Sequence, residues 1–547
     1  MDPYEAQKSK TRRYHKLRKL LKMVFGYNSF KPRQYEIIDK IVSGQDVCAI
    51  LPTGYGKSLT FQIPALYLDK PAFVVTPLIS LMHDQNYILQ KLGITSCCYN
   101  AHADKRTMKR DILANKYQIV YITPESLIKL NDFLPEVATN PGISLFAIDE
   151  AHCISSYGFD FRKSYREITF IRDLLPSIPI LAVTATATTE VGKDMCKVLK
   201  LNTTDPIKTT FNRSNLYIEI RRKTKSTNSI ETDILPIIYE HEKEAIIIYC
   251  ITVKETERIA NALKVHKIKC QPYYAALSEA VKAKLHKRFL KGKINVITAT
   301  CAFGMGINKA NVRVVIHYGS PRSIEGYYQE IGRAGRDGEK AWCYTFYGGG
   351  DFIQQERFIS QCDNPAYQKT LSMMLTRMRH YITTPGCRRQ VLLDYFDEEF
   401  EGNCKMCDNC CGLQHVSIAP PTTAQNVKKE TKMLLSLIEF SAGRFGVNTY
   451  INVLRGSKNK NIAPNLKKHD NYGVGHHKSI IWWRELIDNL VKLEFLQLVF
   501  AHSARIAMQL LQITKKGSMW LMADEMEGYV DGFDDVKLPK IGMSVSI

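Results

Sequence analysis

The 547-residue sequence lacks any apolar run near the roughly 20 residues that a membrane-spanning helix requires. Met1–Lys22 holds eight basic residues and no apolar core ahead of small, cleavage-type residues, so it does not read as a secretory leader. Without such a leader, the fifteen Cys are expected as free or metal-bound thiols in a reducing, intracellular compartment rather than as disulfides. Short-period repeats and long low-complexity tracts are also missing, which sets aside solenoids and extended disordered segments. Acidic residues are comparatively scarce: 54 Asp and Glu face 75 Lys and Arg, a net charge of +21. That excess fits a polyanionic partner, nucleic acid ahead of an anionic membrane, or a diffusely basic surface. The basic stretch from Lys10 to Lys22 reads first as a solvated helix face, with a nuclear signal or a DNA contact as alternatives.

The length exceeds what one hydrophobic core supports and suggests three or four domains. Short aliphatic and β-branched runs alternate with helical stretches at residues 46–51, 72–76, 119–123, 143–148 and 180–184. A second series follows at 245–249, 294–299, 312–317 and 342–347. Each series predicts a parallel sheet with crossover helices, an α/β class. The polar, basic segment 208–227, around Asn212-Arg-Ser-Asn215, is the expected junction. Beyond about residue 350 the pattern turns helical, then Cys-rich, with a linker at Pro420–Thr423. Residues 426–518 carry 15 Lys and Arg against 6 Asp and Glu, with a predicted hairpin from 495–500 and 506–514. An acidic stretch, 524–535, reads as a loose tail.

Thr53-Gly54-Tyr55-Gly56-Lys57-Ser58 lies between the first predicted strand and an apolar helix start, the setting of a phosphate-binding loop. Glycines let backbone N–H groups face phosphate oxygens, Lys57 neutralises the β and γ charge, and the Ser58 hydroxyl can ligate Mg²⁺. Leu51 stands where the strict motif has its first Gly. Asp149-Glu150-Ala151-His152 follows another apolar run, which assigns Asp149 to Mg²⁺ and Glu150 to the attacking water. Downstream, Gln329-Glu-Ile-Gly332-Arg333-Ala-Gly335-Arg336 supplies two arginines three apart that can stabilise a transferring phosphoryl group from a facing lobe. Cys387, with Cys404, Cys407 and Cys410, has the spacing of a tetrahedral thiolate site; Cys411 complicates the count.

These motifs resemble those of the RecQ family of superfamily 2 ATP-dependent DNA helicases, over about residues 25–517. Phe25–Gln34 is similar to the family's adenine-recognition motif, which implies ATP contacts from Tyr27, Lys31 and Gln34, with Tyr27 stacking and Gln34 reading the base. Leu51–Ser58, Thr76–Gln85, Tyr121–Glu125, Asp149–His152, Thr184–Thr186, Ala302–Ile307 and Gln329–Gly338 match successive motor motifs. The resemblance adds His152 and Gln329 to the catalytic set and makes Arg333 and Arg336 γ-phosphate and finger residues. It also implies an aromatic-rich, DNA-sensing loop with Tyr157, Phe159, Phe161 and Arg162. Tyr157 stands where the family usually has Trp, Phe159 where it has His, Asn308 where it has Asp and Ser214 where it has Pro. The Cys set resembles the family's zinc subdomain; an iron–sulfur cluster is the alternative. Residues 426–518 look like a winged helix, with His502 near the tip of a strand-separating hairpin and Trp482-Trp483 in the core.

The resemblance therefore implies two RecA-like lobes at 25–212 and 213–350, after a basic extension at 1–24. A zinc subdomain at 351–415, a winged helix at 426–518 and an acidic tail at 519–547 follow. It implies ATP, Mg²⁺ and Zn²⁺ as cofactors, single-stranded and forked DNA as partner, 3′→5′ polarity, and a nuclear or other DNA-containing compartment. The motor motifs leave RNA open as substrate. An annealing or scaffold protein with a decayed motor is a further alternative, opposed by the intact Lys57, Asp149, Glu150, Arg333 and Arg336.

Overall fold

Strands buried on both faces need uniformly apolar sequences, and parallel sheets sandwiched by helices supply that environment. The structure, a computed structural model, describes residues 3–100, 104–155, 160–224, 226, 228–303, 309–412, 422–424, 427–457, 462–503, 506–525 and 537–539. They fall into two compact units, residues 1–413 and 414–547.

The first unit holds two parallel sheets. In chain order the first comprises β1 (Val47–Ile50), β2 (Ala72–Val75), β3 (Ser96–Tyr99), β4 (Ile119–Ile122), β5 (Leu145–Asp149), β6 (Ile180–Thr184) and β7 (Ile207–Lys208). Their spatial order is β3-β4-β2-β5-β6-β1-β7. The second comprises β8 (Leu216–Arg222), β9 (Ala245–Cys250), β10 (Cys270–Tyr273), β11 (Val296–Ala299), β12 (Val312–Tyr318) and β13 (Ala341–Tyr347), ordered β10-β11-β9-β12-β13-β8. Both α/β sheets expected from the sequence are present. The segment read as a junction is not all linker, because β8 closes one edge of the second sheet. Helices Gly349–Ser360, Pro365–Thr383 and Arg388–Tyr395 follow. Topology puts the C-terminal ends of β1, β6 and β5 side by side, where open α/β sheets bind ligands.

A buried carboxylate anchors the opposite end of the first sheet. Asp46 accepts from Arg172 Nη2 at 2.6 Å, from Ile180 N at 2.9 Å and from Asn202 N at 2.8 Å. It thereby joins the entries to β1 and β6 with the segment that follows the helix Thr189–Val198.

The second unit packs helices Lys428–Phe440, Val447–Leu454 and Ile480–Lys492 against the hairpin β15 (Leu496–Ser503) and β16 (Ile506–Ile513), which β14 (Thr422–Ala424) precedes. This is the winged-helix arrangement. Trp482 and Trp483 are buried in its core, as the sequence suggested, and Trp483 Nε1 donates to Gly475 O at 3.1 Å. A Cβ on residue 475 would lie 2.5 Å from the Trp483 ring, so the close approach requires glycine. Thr422–Ala424, within the segment read as linker, pairs antiparallel with β17 (Lys537–Pro539), from the segment read as tail. The helix Lys515–Glu525 also extends into that tail.

Replacing Asp46 by Ala strands the buried Arg172 guanidinium and two backbone N–H groups. Loss of one member of a buried pair costs about 3–5 kcal/mol, so the denaturant midpoint of Asp46→Ala should drop; an unchanged midpoint would contradict the anchoring role.

Candidate active site and metal centre

β1 delivers the chain into the loop Leu51–Lys57 before the helix Leu59–Leu68 begins. Gly54 and Gly56 have φ of 79° and 90°, a region that favours glycine. A Cβ on residue 56 would also lie 2.7 Å from Gln34 Nε2. The Gln34 amide donates to Tyr55 O at 2.9 Å and Gly56 O at 3.2 Å, while its Oε1 accepts from Lys31 N at 2.8 Å. Lys31 Nζ donates to Gly54 O at 3.0 Å. Burial, with the charge of Arg213, lowers the Lys31 pKa. Tyr55 reaches back to Pro32 O at 3.0 Å. Lys31 and Gln34 thus hold the loop itself. Tyr27 remains 56% exposed. Ser58 precedes the helix and makes no side-chain capping bond.

Lys57 Nζ meets Glu150 Oε1 at 3.5 Å across the ends of β1 and β5. Burial, then the neighbouring Glu150, pushes the Asp149 carboxyl up to about 6. Burial acts upward on Glu150 too, but Lys57, His152 and Arg333 outweigh it and the net shift is downward. The two adjacent acids are therefore driven apart, Glu150 keeping its charge to lower pH than Asp149. His152 is buried, which lowers its pKa, and its Nδ1 lies 2.7 Å from Thr184 Oγ1 at the end of β6.

From the second lobe, the helix Ile324–Ile331 runs into the turn that carries Arg333 and Arg336. The Arg336 side chain lies against the phosphate loop: a Cβ on residue 54 would be 3.3 Å from Arg336 Cγ. Burial, with Arg333 and Arg213 nearby, brings the Arg336 pKa down to about 9. Arg333 Nε and Thr53 Oγ1 are buried without a hydrogen-bond partner among the described residues. A cradle rich in cations, with unused donors and two carboxylates at one side, suits a magnesium–triphosphate.

Away from this pocket, a cleft of about 2100 Å³ is lined by Pro77–Ile79, Phe161 and Arg162 from one lobe and Cys301, Ala302 and Gln329 from the other. Gln329 therefore sits on the cleft side. Phe161 N donates to Tyr367 Oη at 3.3 Å and its ring lies 6.1 Å from the Tyr367 ring. Arg162 donates to Pro77 O at 3.1 Å and to Asp160 at 3.0 Å. Tyr157 and Phe159 lie outside the described residues, as do Gly304–Asn308. In the second unit, His502 pairs with Ala507 one position before the last pair of the hairpin, Ser503 with Ile506. Its side chain lies outside the described residues.

The thiol sulfurs of Cys387, Cys404, Cys407 and Cys410 all lie within 4.8 Å of one another. Tetrahedral Zn–S bonds of about 2.3 Å would place sulfurs roughly 3.8 Å apart, so the four fit one zinc ion. Cys411 is exposed and turns its Sγ to Lys405 O at 3.4 Å. Arg388 forms a two-point ion pair with Asp408, at 2.8 and 3.0 Å, bridging the two ligand segments. Asp408 also accepts from Ile220 N, and Met406 O from Ile218 N, so the cysteine loop covers the free edge of β8.

Two residues without a motif assignment complete the arrangement. Arg213 donates to Thr53 O at 3.1 Å in the phosphate loop and to Gly335 O at 2.8 Å in the second lobe. Arg389 holds the segment that carries Arg213. Only the polar cluster Asn212–Asn215 and the doubled Arg388-Arg389 hinted at them.

Four families match in succession: DEAD/DEAH box helicase over residues 31–194, helicase conserved C-terminal domain over 230–338, RecQ zinc-binding over 349–411, and RQC domain over 421–527. The ATP-dependent DNA helicase RecQ of Bacillus subtilis is 35% identical, covering 88% of this chain and 80% of that protein. The chain belongs to the RecQ family. As a RecQ-family member it is an ATP-hydrolysing helicase that uses Mg²⁺ and Zn²⁺ and acts on nucleic acid. A protein of Acanthamoeba polyphaga mimivirus, named as ATP-dependent RNA helicase R290, is 54% identical over the full length of both chains. The mouse bifunctional 3′-5′ exonuclease/ATP-dependent helicase WRN is 35% identical over 92% of this chain, which spans 37% of WRN. Among solved structures, Mycobacterium smegmatis helicase Lhr bound to ssDNA and AMP-PNP has a TM-score of 0.50 at 14% identity, covering 94% of this chain and 61% of Lhr. That likeness is one of fold.

Zinc binding is coupled to folding. Cys407→Ser is expected to lose the bound zinc measured by elemental analysis and to lower the melting temperature of the first unit. A zinc-free wild-type protein with the same melting temperature would contradict this.

Proposed function

We propose that the chain is a 3′→5′ DNA helicase that unwinds tailed and forked duplexes. In this reading the lobes divide near residues 212–213, the zinc subdomain extends to about 415, and residues 426–518 form the winged helix. The observation that carries the reading is the convergence of Lys57, Asp149, Glu150, Arg333 and Arg336 on one pocket, with a separate cleft beside it. Lys57 binds and orients the phosphates, and Arg333, through its unused Nε, and Arg336 would meet the γ-phosphoryl group from the second lobe as charge develops on it. Ser58 and Asp149 would hold Mg²⁺, which screens the phosphate charge when bound. Glu150, kept anionic by Lys57, takes the proton of the attacking water at its carboxylate. Gln329 lines the cleft, while His152 is buried between Thr184 and Glu150; the two would relate nucleotide state to strand contacts made by Phe161, Arg162, Tyr157 and Phe159. His502 would meet the duplex at the hairpin tip. DNA is favoured because the zinc and RQC modules accompany RecQ relatives named as DNA helicases.

A second reading, RNA unwinding, is favoured by the name of the mimivirus relative. Matched DNA and RNA duplexes with 3′ or 5′ overhangs separate the two. Unwinding of 3′-tailed DNA is expected; unwinding of RNA alone, or of 5′-tailed DNA alone, would sink the proposal.

Two further outcomes follow from the pocket. Lys57→Ala should lower nucleic-acid-stimulated ATPase by at least about 100-fold, the scale of losing one transition-state charge contact, while duplex binding survives. Undiminished ATPase would refute the loop assignment. For Asp149, a folded pKa of about 6 above the ordinary 3.8 means that its stabilising contribution is full below about 3.8 and is lost as pH rises through 6. Mg²⁺ binding needs the anion, so the thermal stabilisation conferred by Mg²⁺ with a non-hydrolysable ATP analogue should shrink as pH falls through about 6. A flat profile from pH 8 to 5 would contradict the assignment.

A further inference from the structure

Arg213 and Arg389 are 176 residues apart in sequence, yet one fixes the backbone of the other. Arg389 is 4% exposed. Its Nη1 donates to Arg213 O at 2.6 Å and to Asn212 Oδ1 at 3.0 Å, and its Nη2 to Leu216 O at 2.6 Å. These acceptors occupy the planar fork that only a guanidinium offers. The Arg213 guanidinium then reaches both lobes. Nη1 donates to Thr53 O at 3.1 Å, while Nη2 donates to Ala334 O at 3.0 Å and Gly335 O at 2.8 Å. Burial lowers the Arg213 pKa, and its hydrogen-bond acceptors here are carbonyl oxygens and Asn215 Oδ1. A buried charge held by neutral acceptors carries a desolvation penalty, so its place depends on rigid support. The zinc subdomain provides that support. Arg389 follows the ligand Cys387 by two residues, and Arg388 is locked to Asp408, next to the ligand Cys407. Farther along the same subdomain, Glu398 accepts from Phe211 N, and Phe396 stacks on Phe211 at 4.3 Å.

We propose that Arg389 is a positioning residue that sets the reach of Arg213, so that the zinc subdomain fixes how the phosphate loop closes on the second lobe. The inference rests on the nucleotide-pocket reading above. It makes the zinc subdomain part of the nucleotide site's register as well as a structural cap. It also gives Arg213 a role distinct from Arg333 and Arg336: it binds backbone on both sides of the pocket.

The test uses the full chain with single-stranded oligo-dT, reading ATPase KM and kcat, affinity for a fluorescent ATP analogue, and zinc content. Arg389→Ala is expected to keep its zinc while KM for ATP rises about tenfold and kcat changes less. Arg213→Ala should shift KM similarly, and the double variant should lie close to either single, because the two act in series. Arg389→Lys keeps the charge but loses the fork, and should shift KM in the same direction by less. Wild-type KM in zinc-loaded Arg389→Lys overturns the proposal even if the Ala variant fails to fold, as do multiplicative losses in the double variant. Lys57→Ala run alongside separates the two claims. If it loses ATPase while the Arg389 variants keep wild-type KM, the relay alone fails; if it retains ATPase, the pocket reading fails.

Discussion

The arrangement depends on positive charge gathered at one partly buried seam. Lys31, Lys57, Arg213, Arg333 and Arg336 converge on the phosphate loop, against the two carboxylates of Asp149 and Glu150. Burial leads in lowering the pKa values of Lys31, Arg213 and Arg336, and a neighbouring arginine adds to each: Arg213 beside Lys31, Arg389 beside Arg213, and Arg333 with Arg213 beside Arg336. Cations crowd in this way only where backbone oxygens hold them or an anion is to be bound. Both conditions are met here. The carbonyls of residues 53, 54, 334 and 335 hold Lys31 and Arg213, and a magnesium–triphosphate satisfies the rest.

That charge cluster is also the seam between the lobes. Each sheet presents a different part of it: the first contributes the loop after β1 and the acids after β5, the second the arginine turn. The fold thus makes nucleotide chemistry and lobe geometry inseparable, because no single sheet carries the complete set. The cleft lies beside this seam. His152 is bonded to Thr184, and Arg162, which lines the cleft with Phe161, donates its backbone N–H to Cys153 O at 2.9 Å, next to His152. Tyr367 of the helix Pro365–Thr383 braces Phe161 from the far side. A short physical route therefore connects the phosphate pocket to the surface assigned to the nucleic-acid strand.

Much of this was legible in the sequence, and the exceptions share a cause. The strands read in advance are central ones, where burial on both faces demands uninterrupted apolar residues. In the two parallel sheets, the four that escaped notice, β3, β7, β8 and β10, are the outermost strands. Edges tolerate the polar Gln271 and Pro272 of β10 and the charged Glu219, Arg221 and Arg222 of β8, so the apolar signal fades there. The phosphate loop, the acid pair and the cysteines were readable because their chemistry constrains local spacing. Arg213 and Arg389 were not, since two arginines joined through backbone oxygens leave no periodic trace. The role of Gln34 in bracing the phosphate loop was hidden for the same reason.

The central claim is that turnover requires an arginine delivered across the lobe seam. Arg336→Ala tests it most directly, measured as ATP hydrolysis at saturating oligo-dT together with nucleotide affinity. The account predicts that turnover falls by about 100-fold or more, as for other lost transition-state charge contacts, while nucleotide affinity changes only a few-fold. Wild-type turnover in this variant would contradict the shared site.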